Sequence, residues 1–337
     1  MKYNITKYKD EISLIHIDNE KNLKATLVTF GAGVYELSFN GKPVILTLKN
    51  LDDYLYSSQY FGKTLGGVAG RLKKDGYIDG TEYHLTPEPG QNFALHGGMF
   101  KSISYKNWDY KIKETNKKLD VTFNITTRLN DCGYPGKLRI YVTYSFLKDK
   151  DEFKILFKAT TPSEAAFINL SNHMYFNFNS SDISDHYLKM NTNKVAITEP
   201  NLLITGLKDI TDELNFRKSN KLNKRLEYIE KHDFKGTIDD TFTFSELPGK
   251  ITLSNKELKM DIITDCSSLN IYVDNSKSPV EFKNENIGPI RRGIALEPQR
   301  FLLNKDEIIL HKGETYKNYI TYKFKGREYP DDFRCNR

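Results

Sequence analysis

Cysteine is scarce in this 337-residue chain: three residues, Cys132, Cys266 and Cys335, with no Cys-x-x-Cys pair among them. An odd, widely spaced set argues against a cysteine zinc site and fits a reduced, cytoplasmic setting. Long apolar runs are lacking too. No stretch approaches the length of a membrane span, and the segment from Met1 to Asp10 has no apolar signal core, so no membrane partner is expected. An excess of one charge is also missing, since 50 basic and 44 acidic residues leave a formal charge of only +6. A nucleic-acid protein would concentrate positive charge on one element with interleaved aromatics. Here the lysines are scattered, and the densest basic run, Arg217 to Arg225, reads as a solvated loop and short helix. Internal repeats and low-complexity linkers are absent as well.

What the chain does have is strand signal. Hydrophobic residues make up 38% and charged residues 28%, which suits a globular protein. Tyrosine and phenylalanine, both strand-favouring, number 21 and 20. Short alternating runs recur at Leu23 to Phe30, Leu119 to Thr127, Leu138 to Phe146, Phe153 to Thr160, Lys250 to Leu253, Leu258 to Thr264 and Leu269 to Val273. Turn residues such as Asn40-Gly41-Lys42-Pro43 and Tyr134-Pro135-Gly136 separate the runs. Two short helices are expected, near Leu51 to Tyr56 and Leu222 to Glu230. This pattern predicts an all-β fold, a large antiparallel β-sandwich, with residues 1–337 as one domain.

Five segments carry candidate chemistry. In Ile168 to Phe178, read as one strand, Asn169, Ser171, His173, Tyr175 and Asn177 share a face. A solvated face would carry Lys, Glu or Thr; this one surrounds a histidine with neutral hydrogen-bonding groups, which suits a hydroxyl-rich ligand. In Leu95-His96-Gly97-Gly98 the glycines let the backbone turn sharply beside His96, although an exposed turn histidine reads as well. In Gly66 to Leu72 glycines crowd Arg71, whose planar fork of donors suits an oxygen-rich ligand; a surface arginine on a tight turn is the plainer alternative. The spacing matches neither a Walker nor a dinucleotide loop. In Thr237 to Phe244, Asp239 shares its face with Thr241 and Thr243, while Asp240 falls with Phe242 and Phe244. Asp239 is thus the better ligand candidate. In Gly293 to Phe301, Ala295, Glu297 and Gln299 share a face, and Pro298 leaves open an edge strand with a surface glutamate.

Taken in order, these segments resemble the aldose 1-epimerase (galactose mutarotase) family. The specific signals are Gly133-Tyr134-Pro135-Gly136 before a long strand and the Asn-His-x-Tyr-Phe-Asn core at 172–177. The likeness runs from about Leu23 to Tyr322. It implies a sandwich of the galactose mutarotase-like type with its site in a cleft on one sheet. It implies exchange of the α and β anomers of a free aldose without a cofactor. Carried over, Glu297 is the general base and His173 the general acid. His96 is a second ring-side partner, Arg71 and Asp239 bind hydroxyls, Tyr272 stands beside the sugar, and Tyr175 and Gln299 complete the contacts. The chain departs from the family at Gly70 (usually Asn), at Asp240 (often His), at Pro298 (commonly Thr), after Gln299, where the usual Pro-Asp-Ala stretch is missing, and at Asn92, which is displaced by one position. These departures leave the catalytic pair intact and bear on sugar preference.

The reaction needs Glu297 ionised, with hydrogen bonds and some solvent contact, and His173 protonated, helped by a nearby carboxylate. No His-Glu-x-x-His run is present, so no metal is expected. The expected partner is a small-molecule aldose, with the chain acting as a monomer or homodimer. A hexose-6-phosphate 1-epimerase, a non-catalytic carbohydrate-binding protein and a glycosidase using Asp239 with Glu297 are the alternatives.

Overall fold

The computed structural model describes residues 1–162, 164–276 and 278–327, so Cys335 lies outside the described residues. Strands form where apolar residues alternate between turns. In Lys118–Arg128 and Lys137–Leu147 the side chains of Leu119, Val121, Phe123, Leu138, Ile140, Val142 and Tyr144 are buried, while their neighbours along the strand are more exposed. These strands belong to a nine-stranded antiparallel sheet ordered Asp109–Glu114, Lys118–Arg128, Lys137–Leu147, Glu152–Thr160, Tyr316–Gly326, Leu258–Thr264, Gly249–Ser254, Tyr187–Met190 and Asn220–Lys221.

A second antiparallel sheet has six strands, ordered Tyr175–Phe176, Ile294–Gln299, Ser268–Val273, Asp239–Phe244, Thr192–Thr198 and Ile204–Asp209. One of its faces contributes Phe176, Phe242, Ile271 and Leu296 to a core shared with Ile155, Ile262, Ile320 and Tyr322 of the larger sheet. The Phe176 and Tyr322 rings lie 5.8 Å apart across that interface. The two sheets are therefore layers of a sandwich, and the outer face of the smaller one is free to form a site. A five-stranded meander from Lys2–Tyr8 to Lys42–Pro43 completes the N-terminal part.

Helices are few among the described residues. Leu51–Tyr56 forms as expected, and the second helix, Asn223–His232, starts one residue later and runs two further than its pattern suggested. A third, Lys305–Ile308, is too short to carry a periodic signal.

The segment from Ile168 to Phe178 is not the continuous strand that its alternation suggests. It forms strand only at Ser171–Asn172 and Tyr175–Phe176, with an isolated bridge from Asn169 to Val68. Its whole length is buried, so the polar side chains must satisfy backbone groups that the interrupted ladder leaves open. Asn169 donates to the Arg300 carbonyl (2.9 Å) and accepts from its N–H (2.9 Å). Ser171 donates to the Pro298 carbonyl (2.9 Å), and Asn177 to that of Arg292 (2.6 Å). Only His173 and Tyr175 of the polar set reach the cavity described below. Pro298 does not make its strand an edge. It pairs with Leu269 on one side, and on the other the neighbouring strand pairs only as far as Ala295.

His186 is fully buried against Phe178, with ring centroids 5.2 Å apart, and backbone groups of Asn177 and Ile183 near its nitrogens only partly offset that burial. Burial pushes its pKa from 6.5 down to about 4. The unfolded chain takes up this proton near 6.5 and the folded chain only near 4, so acidification through that window favours unfolding. Replacing His186 with Phe should lessen this loss by on the order of 2–3 kcal/mol at the acid end. Denaturant melts of wild type and His186→Phe across that window test this; equal pH slopes would contradict it.

Candidate active site

Residues two apart on a strand share a face, and on the outer face of the six-stranded sheet those residues are mostly polar. Thr241, Asn270 and Glu297 are direct partners across three strands. One step along, Asp239, Tyr272, Ala295 and Tyr175 form the next row. One step the other way lie Thr243, Ser268 and Gln299. Register alone thus gathers side chains more than a hundred positions apart in sequence.

Two loops close the site. The short strand Arg71–Lys73 pairs with Phe93–Leu95, placing Arg71 opposite Leu95. His96 is then fixed twice to Gly70: its N–H donates to the Gly70 carbonyl, and the Gly70 N–H donates to His96 Nδ1, both at 3.0 Å. The turn requires glycine at position 97, where φ is +87° and a Cβ would stand 2.0 Å from the Gly66 oxygen. His173 is held by its backbone: its N–H donates to the Lys63 carbonyl (3.0 Å) and its carbonyl accepts from Gly62 (2.9 Å).

Together these elements enclose a cavity of about 300 Å³, lined by Arg71, His96, His173, Tyr175, Asp239, Tyr272, Glu297 and Gln299 among others. All eight residues named from the sequence therefore meet in one place. A ligand pocket spans roughly 300–1,000 Å³, so this one suits a single small ring.

Arg71 and Asp239 form a two-pronged ion pair, with Nη2 2.5 Å from Oδ2 and Nη1 3.5 Å from Oδ1. Asp240 points to the other side and pairs with Lys235 at 2.7 Å, a structural role. Glu297 is completely buried rather than partly solvated as expected. Among the described residues its one hydrogen bond comes from Asn270 Nδ2 at 3.3 Å, and Oε2 has no partner. Thr241 donates to Asn270 Oδ1 (2.9 Å), which turns the amide so that its NH₂ faces Glu297. Burial raises the Glu297 pKa from 4.5 to about 8, against the opposing pull of Asn270 and Arg71. His173 Nε2 lies 3.5 Å from Glu297 Oε1, yet burial lowers the His173 pKa to about 4 rather than leaving it protonated. Attraction between the two would favour charges on both. At 3.5 Å without bulk water, desolvation dominates, and the pair holds one proton, mainly on Glu297.

His96, His173 and Glu297 place ligating atoms within 4.8 Å of one another, the spacing of a metal site. The Gly70 N–H argues against one. It occupies the Nδ1 lone pair, so neutral His96 carries its proton on Nε2, which is then a donor and no ligand. Burial, with His173 and Arg71 nearby, also holds the His96 pKa well below 6.5.

Several lining residues were not singled out from sequence. Asn270 alternates with buried Leu269 and Ile271 and sits two residues from Tyr272, a signal that could have found it. Tyr60, Leu202, Ile204 and Leu302 lie in loops or at a strand start and had none. Asn92 does not line the cavity. The space over Gly70 is filled: a Cβ there would stand 2.7 Å from Leu302 and 3.4 Å from the Gln299 amide.

The aldose 1-epimerase family model matches residues 13–323. This chain belongs to the aldose 1-epimerase family. Its relatives include the rat galactose mutarotase, 27% identical over 324 residues and covering 90% of this chain and 91% of that protein. The Streptococcus thermophilus aldose 1-epimerase is 26% identical, with 93% and 94% covered. The crystal structure of galactose 1-epimerase from Lactobacillus acidophilus superposes with a TM-score of 0.87 at 21% identity, covering 97% of this chain and 99% of that one. Family members of this fold thus differ widely in sequence around a common sandwich.

The hydrogen bonding of His96 makes a prediction independent of turnover. Nitrogen-15 NMR of the imidazoles should show His96 neutral, with its proton on Nε2, through its ordinary titration range near 6.5. A His96 that titrates normally, or carries its proton on Nδ1, would contradict the arrangement.

Proposed function

We propose that this chain is an aldose 1-epimerase that exchanges the α and β anomers of a free aldohexose, such as glucose or galactose. The observation that carries this reading is the adjacency of Glu297 and His173, 3.5 Å apart in a cavity sized for one sugar ring. Ring opening takes a proton from O1 and delivers one to O5, and both oxygens are bonded to C1. Acid and base must therefore stand side by side.

Glu297 removes the C1 hydroxyl proton while His173 protonates the ring oxygen. The C1–O5 bond breaks to give the aldehyde, rotation about C1–C2 presents its other face, and closure reverses the transfers. Glu297 then returns a proton to O1 and His173 recovers its own. The reactive tautomer has the pair's single proton on His173. His96 donates from Nε2 to the ring side of the sugar. Arg71 and Asp239 offer donors and acceptors to hydroxyls as a unit, Tyr272 and Tyr175 form the apolar wall, and Gln299 adds its amide.

The rival readings fare less well. A phosphorylated sugar needs cationic groups. Among the described residues Arg71 is the one Lys or Arg lining the cavity, and Asp239 already neutralises it. A glycosidase needs two free carboxyl groups, and Asp239 is engaged by Arg71. A binding-only protein has no need of a buried carboxyl beside a buried imidazole.

Polarimetry on freshly dissolved α-D-glucose and α-D-galactose tests the assignment. Glu297→Gln and His173→Asn should each fold normally and lose about 10²- to 10⁴-fold in rate. Near wild-type rates in Glu297→Gln would remove the base. An active His173→Asn with an inactive His96→Asn would reverse the acid. Faster turnover of glucose-6-phosphate than of glucose would favour the phosphate reading.

The pH profile follows from the shared proton. Below about 4 both groups are protonated and the base is blocked; above about 8 both are deprotonated and the acid is lost. The rate constant kcat/KM should be flat between these limits. A fall in rate centred near 6.5, the ordinary histidine value, would contradict the one-proton pair.

A further inference from the structure

We propose that Tyr60 is a positioning residue for both active-site histidines, held from behind by a buried contact between Lys63 and Tyr105. The inference rests on the epimerase reading above. Tyr60 is 2% exposed and lines the cavity. Its ring meets His96 edge to face at 4.9 Å and leans over His173 at 6.1 Å, so one side chain wedges both imidazoles. The two imidazoles are themselves nearly perpendicular, with centroids 5.4 Å apart. Tyr60 adopts this place at a φ of +56°, a conformation that a bulky residue keeps only when its surroundings over-determine it.

Those surroundings are unusual. Tyr105 packs edge to face on Tyr60 at 5.4 Å and anchors its own hydroxyl on the Ser57 carbonyl at 2.6 Å. Against the Tyr105 ring, 3.7 Å from its centroid, stands the Nζ of Lys63. Lys63 is 0% exposed. Tyr54 and Phe30 flank the amine at 5.1 and 5.4 Å, and the Leu55 carbonyl accepts from it at 3.3 Å. No acidic side chain pairs with it among the described residues. Burial lowers the Lys63 pKa from 10.5 to about 6, so near neutrality the amine is mostly uncharged and is held against the rings by packing and by its hydrogen bond to Leu55, which a methionine of similar length would lack. The main chain of Lys63 also accepts the His173 N–H, so one residue fastens His173 directly and its wedge indirectly.

The groups facing His173 are Glu297, His96, Tyr60, Tyr175 and the negative charge of Asp239. Of these, Tyr60 is the uncharged ring that lies against both imidazoles. Its hydroxyl has no partner among the described residues, so the ring does the positioning.

Three variants, run beside wild type and Glu297→Gln, test this by polarimetry, pH profile and NMR titration of the imidazoles. Tyr60→Phe keeps the ring and should stay within about 3-fold of wild type in kcat and KM. Tyr60→Ala opens the wedge to water and should lower kcat by about 10-fold or more with less change in KM. Water beside the pair should also move the upper limb of its pH profile down by about one unit or more, a change that a merely structural role would not cause. Lys63→Met leaves the cavity wall in place, loses the hydrogen bond that holds the side chain behind Tyr105, and should lower kcat by about 3- to 10-fold with KM unchanged; it carries the test if Tyr60→Ala does not fold. Folded Tyr60→Ala or Lys63→Met with wild-type kcat and unshifted imidazole titrations would overturn the inference while leaving the epimerase reading intact. A wild type without epimerase activity would overturn both, and an active Glu297→Gln would overturn the base assignment alone.

Discussion

Taking an ionised carboxylate out of water costs several kcal/mol unless it is paired and hydrogen-bonded. Glu297 is taken out of water with a single hydrogen bond, and its near neighbour is an imidazole that burial also drives toward neutrality. Each group is easier to bury because the other can hold the proton it gives up. The fold around them serves to keep this arrangement dry and aimed. Interstrand register sets Asn270 opposite Glu297, Thr241 fixes the Asn270 amide, and the Lys63 backbone carbonyl fixes His173.

Around that pair the cavity is arranged to be nearly silent electrostatically. Arg71 and Asp239 neutralise each other, so they present hydrogen-bonding edges to the cavity with little net charge. His96 has its tautomer chosen by a backbone N–H and stays a neutral donor. A site of this kind favours an uncharged polyhydroxyl ligand and leaves the only mobile proton between Glu297 and His173. Gly70 fits the same design, because Leu302 and the Gln299 amide occupy the room a side chain there would use.

Much of this was legible in the sequence for physical reasons. Alternation in Asp239–Phe244 and Ile294–Gln299 separated cavity-facing Asp239, Glu297 and Gln299 from core-facing Asp240, Phe242 and Leu296, because a strand has only two faces. The segment from Ile168 to Phe178 misled for the converse reason. In a segment buried on all sides, Asn169, Ser171 and Asn177 serve the backbone, and alternation cannot distinguish that duty from ligand binding. Nor does local pattern report desolvation. Nothing beside Glu297 in the chain announces that it is completely buried. Tyr60, Tyr105 and Lys63 were invisible because their roles arise from tertiary packing of loops with no periodicity.

Infrared difference spectroscopy of the free protein tests the dry pair most directly. The carboxylic C=O band of Glu297, identified by its loss in Glu297→Gln, should be present at neutral pH and disappear as pH rises through about 8. A Glu297 carboxylate already ionised across the neutral range, with His173 carrying the proton, would contradict the central claim that burial governs this site.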